Sequence, residues 1–126
     1  MGPLTYVLDS DVIIDFLNGS EAARDFINEN FTLCAITPVT RAETLTGQES
    51  SLIEETAAWL DSFSLLALDA PACDLAASMR RTNKLKLPDA FQAAAARRHG
   101  LSLVTRNTKD FPPRKYDFVM VPYKIN

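Results

Sequence analysis

The chain has 126 residues, an apolar fraction of 47% and a formal net charge of −3. That length suits one domain, and the apolar content is too high for a disordered chain. No apolar run approaches the roughly 20 residues of a membrane span, and Met1-Gly2-Pro3-Leu4 offers no basic segment or cleavage site of a signal peptide.

In chain order, Leu4–Leu8 reads as a short strand stopped by Asp9 and Ser10. Val12, Ile13, Phe16 and Leu17 recur at helical spacing until Asn18-Gly19 breaks the helix. Ser20 caps a second helix through about Asn28, and Thr32–Ile36 is a strand. Thr37-Pro38 opens the next helix, a cap followed by proline at the first helical position, which ends near Gly47. Another helix starts at Ser50 or Ser51 and carries Leu52, Ile53, Ala57, Trp59 and Leu60. Leu65–Leu68 is a third strand, and Asp69-Ala70-Pro71 caps a helix to about Arg81. Leu87-Pro88-Asp89 begins an alanine-rich helix stopped by Gly100. Leu101–Thr105 and Phe118–Val121 complete the strands.

Strands alternating with helices imply a mostly parallel sheet of four to five strands with helices on both faces, a three-layer α/β/α domain. Right-handed crossovers place the carboxyl ends of its strands on one edge, where ligands of such folds bind. Cys34 and Cys73 both read as buried small hydrophobes in a reduced, cytoplasmic setting. The single histidine, His99, sits at a helix end beside Arg97 and Arg98, so a His-rich zinc site and two-histidine acid–base chemistry are excluded.

Charge distribution is more informative than its sum. Arg80, Arg81, Lys84 and Lys86 form one basic stretch; Arg97, Arg98, Arg106 and Lys109 form another. Both are compatible with a solvated face or with a phosphodiester backbone. Much of the acid lies elsewhere, including Glu21, Asp25, Glu49, Glu54 and Glu55.

Four acids fall on or near the ligand edge. Asp9 ends the first strand, where a helix cap is the alternative role. Glu43 shares a helical stripe with Val39, Ala42 and Thr46; on an inward stripe a carboxylate needs a partner such as Arg41 or a cation. Asp89 opens a helix whose dipole also favours an acid, and Asp110 follows the fourth strand, where a turn would equally use it. Asp11 and Asp15 read as solvent-facing, although Asp11 stays a minor candidate beside Asp9. Clustered carboxylates repel unless a hard cation neutralises them, and oxygen-only ligation suits Mg²⁺ or Mn²⁺.

The segments Tyr6-Val7-Leu8-Asp9-Ser10-Asp11-Val12-Ile13-Ile14-Asp15, Thr40-Arg41-Ala42-Glu43, Leu87-Pro88-Asp89-Ala90-Phe91 and Leu103-Val104-Thr105-Arg106-Asn107-Thr108-Lys109-Asp110-Phe111 occur in an order that resembles the PIN-domain family, in particular its VapC-type toxins. The resemblance implies an acidic quartet of Asp9, Glu43, Asp89 and Asp110 holding Mg²⁺ or Mn²⁺, supported by Ser10, Asp11, Thr105 and Asn107. It further implies endoribonuclease activity on structured RNA such as transfer RNA, a homodimer, and neutralisation by a cognate antitoxin. Candidate RNA contacts are Arg80, Arg81, Lys84, Arg97, Arg98 and Arg106. The Ala93–Ala96 run, or the stripe of Leu75, Ala76 and Met79, is the expected dimer face.

Three other readings compete. Asp9-Ser10-Asp11 also looks like the opening of an aspartate-based phosphatase. Asp9, Asp11, Asp69 and Lys109 could mimic a phosphorylation receiver. A catalytically inactive PIN fold that only binds a partner is the third.

Overall fold

The structure is a computed structural model and describes residues 3–124; the start at Met1 and Gly2 lies outside them. Five short strands, β1 (Tyr6–Leu8), β2 (Cys34–Ile36), β3 (Ser64–Leu65), β4 (Ser102–Val104) and β5 (Val119–Met120), form one sheet in the order β3-β2-β1-β4-β5. Every neighbouring pair is parallel, with Leu8 opposite Val104 and Val7 opposite Ala35. Six helices connect and flank them: α1 (Ser10–Leu17), α2 (Glu21–Asn30), α3 (Pro38–Thr46), α4 (Ile53–Leu60), α5 (Ala70–Asn83) and α6 (Leu87–His99). This is the expected three-layer α/β/α arrangement.

Alternation along the strands explains the layers, because successive side chains point to opposite faces. Val7, Ala35 and Leu103 pack with the alanines of α6 and with Ala76 and Met79 of α5. Leu8, Ile36 and Val104 pack instead with Val12, Ile13, Ile27, Leu60 and Phe63. Small side chains at Ala93–Ala96, all at most 1% exposed, let α6 lie close to the sheet and to α5.

That packing corrects the expected dimer face. Ala76, Met79 and Ala93–Ala96 are buried within the chain's own core, so they are not free to build a second interface, and of the expected residues only Leu75 stays partly exposed. Two other expectations change. Cys73 is exposed on α5, whereas Cys34 is buried as expected and its thiol is pushed up to about 12 by burial. The third strand is Ser64–Leu65 rather than Leu65–Leu68; an edge strand pairs on one side only, and here both residues are exposed.

The helix boundaries follow their local chemistry. Ser20 accepts from the Ala23 amide, Thr37 from the Val39 and Thr40 amides, and Asp69 from the Ala72 amide. Gly100 ends α6 at φ 65°, the left-handed conformation that glycine adopts without a Cβ penalty. Lys84 ends α5 in the same region at φ 58°, and Arg80 donates to the Leu85 carbonyl just beyond it.

Candidate active site

Because β1, β2 and β4 are parallel, the residues that follow them (Asp9, Thr37 and Thr105) emerge on one edge. β1 is central, and the chain leaves it toward β2 on one side and pairs β4 on the other. Ligands of open α/β sheets bind at such a reversal. Asp9 sits there, 5% exposed, with its backbone N–H donating a hydrogen bond to the Val104 carbonyl.

Three donors hold the Asp9 carboxylate. Oδ1 accepts from the Ser10 amide at 2.9 Å and from Gln92 Nε2 at 3.2 Å; Oδ2 accepts from the Thr105 hydroxyl at 2.8 Å. Burial raises the Asp9 pKa above the ordinary carboxylate value, and these three bonds oppose the rise. Asp9 does occupy the cap position of α1, but a side chain serving only as a cap would not gather donors from α6 and β4 as well.

Asp11 departs from the solvent-facing expectation. Its Oδ2 lies 3.1 Å from the Arg106 amide and 3.2 Å from the Thr105 hydroxyl, and its Oδ1 is buried without a partner. A hydroxyl has one proton, and the shorter distance assigns that of Thr105 to Asp9. Burial first, then the charge of Asp9, pushes the Asp11 carboxyl up to about 7. Asp15 is not solvent-facing either. It accepts two bonds from Arg106, at 2.6 and 3.1 Å, and one from the Tyr123 hydroxyl at 2.7 Å.

Glu43 lies on the exposed side of α3, so the inward-stripe argument fails for it. The stripe that turns inward is Thr37, Thr40 and Thr44. Arg41 pairs with Asp61 instead, at 2.6 Å. Glu43 nevertheless reaches the same edge, because its Oε1 accepts from the Ser10 hydroxyl at 2.9 Å. Asp110 is fixed by Asn107: Nδ2 donates to its Oδ2 at 2.9 Å, and its amide donates back to Asn107 Oδ1 at 3.2 Å. Asn107 in turn donates its amide to Thr105 Oγ1.

Asp89, half-buried in the first turn of α6, is where the four acids meet electrostatically. Burial first, then the charges of Asp9, Asp110 and Glu43, push its carboxyl up to about 6, with Lys86 partly offsetting them. All three other members of the expected quartet therefore act on one carboxyl.

Among the described residues no three His, Cys, Asp or Glu side chains close tightly enough to grip a bare ion. A hydrated Mg²⁺ or Mn²⁺ does not need that, since it keeps several waters and takes one or two carboxylates directly. An all-oxygen donor set, mutually repelling carboxylates and a buried unpartnered oxygen on Asp11 fit such a cation.

Of the six candidate RNA contacts, three have partners within the chain. Arg106 is bound to Asp15, Arg98 lies 3.8 Å from Asp69, and Arg80 donates to Leu85. Arg81, Lys84 and Arg97 are exposed. Lys86, absent from that candidate set, lies close enough to Asp89 for its charge to be felt there. Gln92 was also missed, because a lone glutamine in an alanine helix carries no sequence signal.

The sequence from residue 6 to residue 116 matches the model of the PIN domain. A chain of a toxin–antitoxin complex from Klebsiella pneumoniae is 30% identical, with a TM-score of 0.88 over 96% of this chain and 100% of that one. A chain of the DNA-bound VapBC from Salmonella typhimurium is 25% identical, with a TM-score of 0.72 over 86% and 90% respectively. FitAcB from Neisseria gonorrhoeae, at 21% identity and a TM-score of 0.77 over 96% and 100%, shares the fold. No curated protein matches the sequence significantly. With the PIN-domain match spanning residues 6–116, the phosphatase and receiver readings give way, and Asp69 serves as the cap of α5. The chain belongs to the PIN-domain family.

Proposed function

We propose that this chain is a Mg²⁺- or Mn²⁺-dependent endoribonuclease and the toxin of a VapC-type toxin–antitoxin pair. The observation that carries the nuclease half is the Asp89 carboxyl, raised to about 6 by burial together with Asp9, Asp110 and Glu43. Four chain segments have converged acids on one sheet edge at a cost in repulsion that a bound cation would relieve. The toxin half is supported by similarity to chains from a toxin–antitoxin complex and from VapBC. A cognate antitoxin, a structured RNA substrate such as transfer RNA, a homodimer and a cytoplasmic location belong to the same proposal. Among the described residues no helix is long and apolar enough to cross a membrane.

Asp9, Glu43, Asp89 and Asp110 are the residues that would hold the ion. When bound, Mg²⁺ or Mn²⁺ supplies positive charge for a phosphoryl group that gains negative charge in the transition state. The chain's own residues do the rest. Thr105 and Gln92 fix Asp9, Ser10 aims Glu43, and Asn107 holds Asp110. Asp89 presents its carboxyl from the first turn of α6, where it feels the charges of the other three.

Incubating the purified chain with structured RNA and Mn²⁺, with and without EDTA, tests the activity. Cleavage that EDTA stops is expected; RNA left intact at millimolar Mn²⁺ would remove the nuclease reading. Substrate grip makes a separate prediction. Arg81, Lys84 and Arg97 are the exposed candidates that pair with no other side chain among the described residues, and Lys86 joins them. Replacing one that meets a phosphate should reduce the salt slope of RNA binding by roughly 0.7 to 0.9. Filter binding across a salt series measures this, and an unchanged slope returns that residue to the solvated surface.

A further inference from the structure

We propose that Gln92 is a positioning residue that fixes the Asp9 carboxylate of the nuclease site, an inference that rests on the function proposed above. Gln92 lies one turn after Asp89 on α6 and is 1% exposed, surrounded along the helix by alanines. An aliphatic side chain would be the inexpensive choice there. A buried amide is tolerated only when its donors and acceptor are satisfied.

They all are. The Thr37 hydroxyl donates to Gln92 Oε1 at 2.6 Å, and Gln92 Nε2 donates to Thr40 Oγ1 at 2.6 Å and to Asp9 Oδ1 at 3.2 Å. Proton counting fixes the orientation of the amide. Thr37 Oγ1 already accepts from the Val39 and Thr40 amides, so its single proton needs an acceptor, which is the Gln92 oxygen. Thr40 spends its proton on the Leu8 carbonyl at 3.0 Å, so it must accept from the Gln92 nitrogen. Turning the amide over would set its oxygen against the Asp9 carboxylate and against Thr40, with no proton on either line.

The network thus has one proton arrangement, and it joins three elements of the site. It runs from the amino end of α3, which carries Glu43, through α6, which carries Asp89, to the end of β1, which carries Asp9. Thr105 holds the second oxygen of Asp9 from β4. With Gln92 and Thr105 on opposite oxygens, rotation of the Asp9 carboxylate breaks a bond either way. Outer partners of this kind orient the groups that meet a metal, and losing one typically weakens metal binding or activity by about 10- to 100-fold.

The test is Gln92→Met, which keeps length and volume but removes the amide. Mn²⁺ binding is measured by calorimetry, RNA cleavage is resolved into kcat and KM, and folding is checked by circular dichroism. The expected result is a folded variant whose Mn²⁺ dissociation constant rises about tenfold or more. Its kcat should fall by a similar factor while KM for RNA stays unchanged. A role confined to packing would lower the melting temperature and leave Mn²⁺ affinity intact, and that result overturns the proposal. Should Gln92→Met not fold, Gln92→Asn, which withdraws the amide by one methylene, is read by the same criteria. A parent that binds Mn²⁺ but cuts no RNA, with weaker binding in the variant, supports the positioning role and removes the ribonuclease reading. A parent that cuts RNA, with a folded variant that binds Mn²⁺ equally well, does the reverse. A parent that binds no Mn²⁺ at millimolar concentration overturns both.

Discussion

Replacing Asp89 by asparagine should lower RNA turnover at least 100-fold and leave the fold intact. Removing one electrostatic stabiliser of a phosphoryl transition state costs roughly 3 kcal/mol, which corresponds to about that factor. The fold should survive because Asp89 is half-buried and accepts no hydrogen bond from another element among the described residues. Asparagine gives up a favourable charge in the first turn of α6, worth about 0.3 to 1 kcal/mol. It also removes repulsion from Asp9, Asp110 and Glu43. Multiple-turnover cleavage and a thermal melt on the same preparation check both halves. Full activity in the variant would take Asp89 out of the site.

Stability without metal should respond to Asp11 in the opposite sense from most buried substitutions. Asp11→Asn is expected to stabilise the metal-free protein near pH 7.5. The folded Asp11 pKa is about 7 against an ordinary 3.8, and that of Asp89 is about 6. A raised carboxylate pKa contributes stability that is fully present below the unfolded value and lost as pH rises through the folded one. The metal-free parent should therefore lose stability between about pH 4 and pH 7. For Asp11 the loss is on the order of 4 kcal/mol, or roughly 15 °C in melting temperature for a chain of this length. Asparagine keeps an acceptor for the Arg106 amide and removes the charge that burial and Asp9 both oppose. The mutant's melting temperature should vary less across that pH range and exceed the parent's at pH 7.5. Mn²⁺ should narrow or reverse the gap, since a ligand at about 100 times its dissociation constant adds roughly 2.7 kcal/mol to the protein that binds it. Melts at pH 5 and 7.5, with and without Mn²⁺, decide the matter; a destabilised mutant with no response to Mn²⁺ would make Asp11 purely structural.

The fold was legible because local signals agreed with it. Caps at Ser20, Thr37 and Asp69, stops at Gly19 and Gly100, and short apolar runs at β1, β2 and β4 each mark an element or its end. Short edge elements were harder, since Ser64–Leu65 buries neither side chain and so leaves no pattern to detect. Candidate acids at strand ends and helix starts were visible for the same reason as the fold: topology alone puts Asp9 and Asp89 on one edge. The inward-stripe argument does not hold for Glu43, which lies on the exposed side of α3 and reaches the site through Ser10. Charges that pair across long sequence separations were misread. Asp15 with Arg106 and Tyr123, and Asp11 with the Arg106 amide, join residues that only the folded chain brings together. Gln92 was invisible on the same ground, for its three partners lie on β1's end, α3's cap and α3 itself.

The most direct test of the central claim is Mn²⁺ calorimetry on the parent and on four single variants, Asp9→Asn, Glu43→Gln, Asp89→Asn and Asp110→Asn. If four acids from separate segments share one metal site, the parent binds Mn²⁺ and each folded variant binds it more weakly. Parental affinity in all four folded variants, or no binding by the parent at millimolar Mn²⁺, would contradict a shared metal site and with it the nuclease.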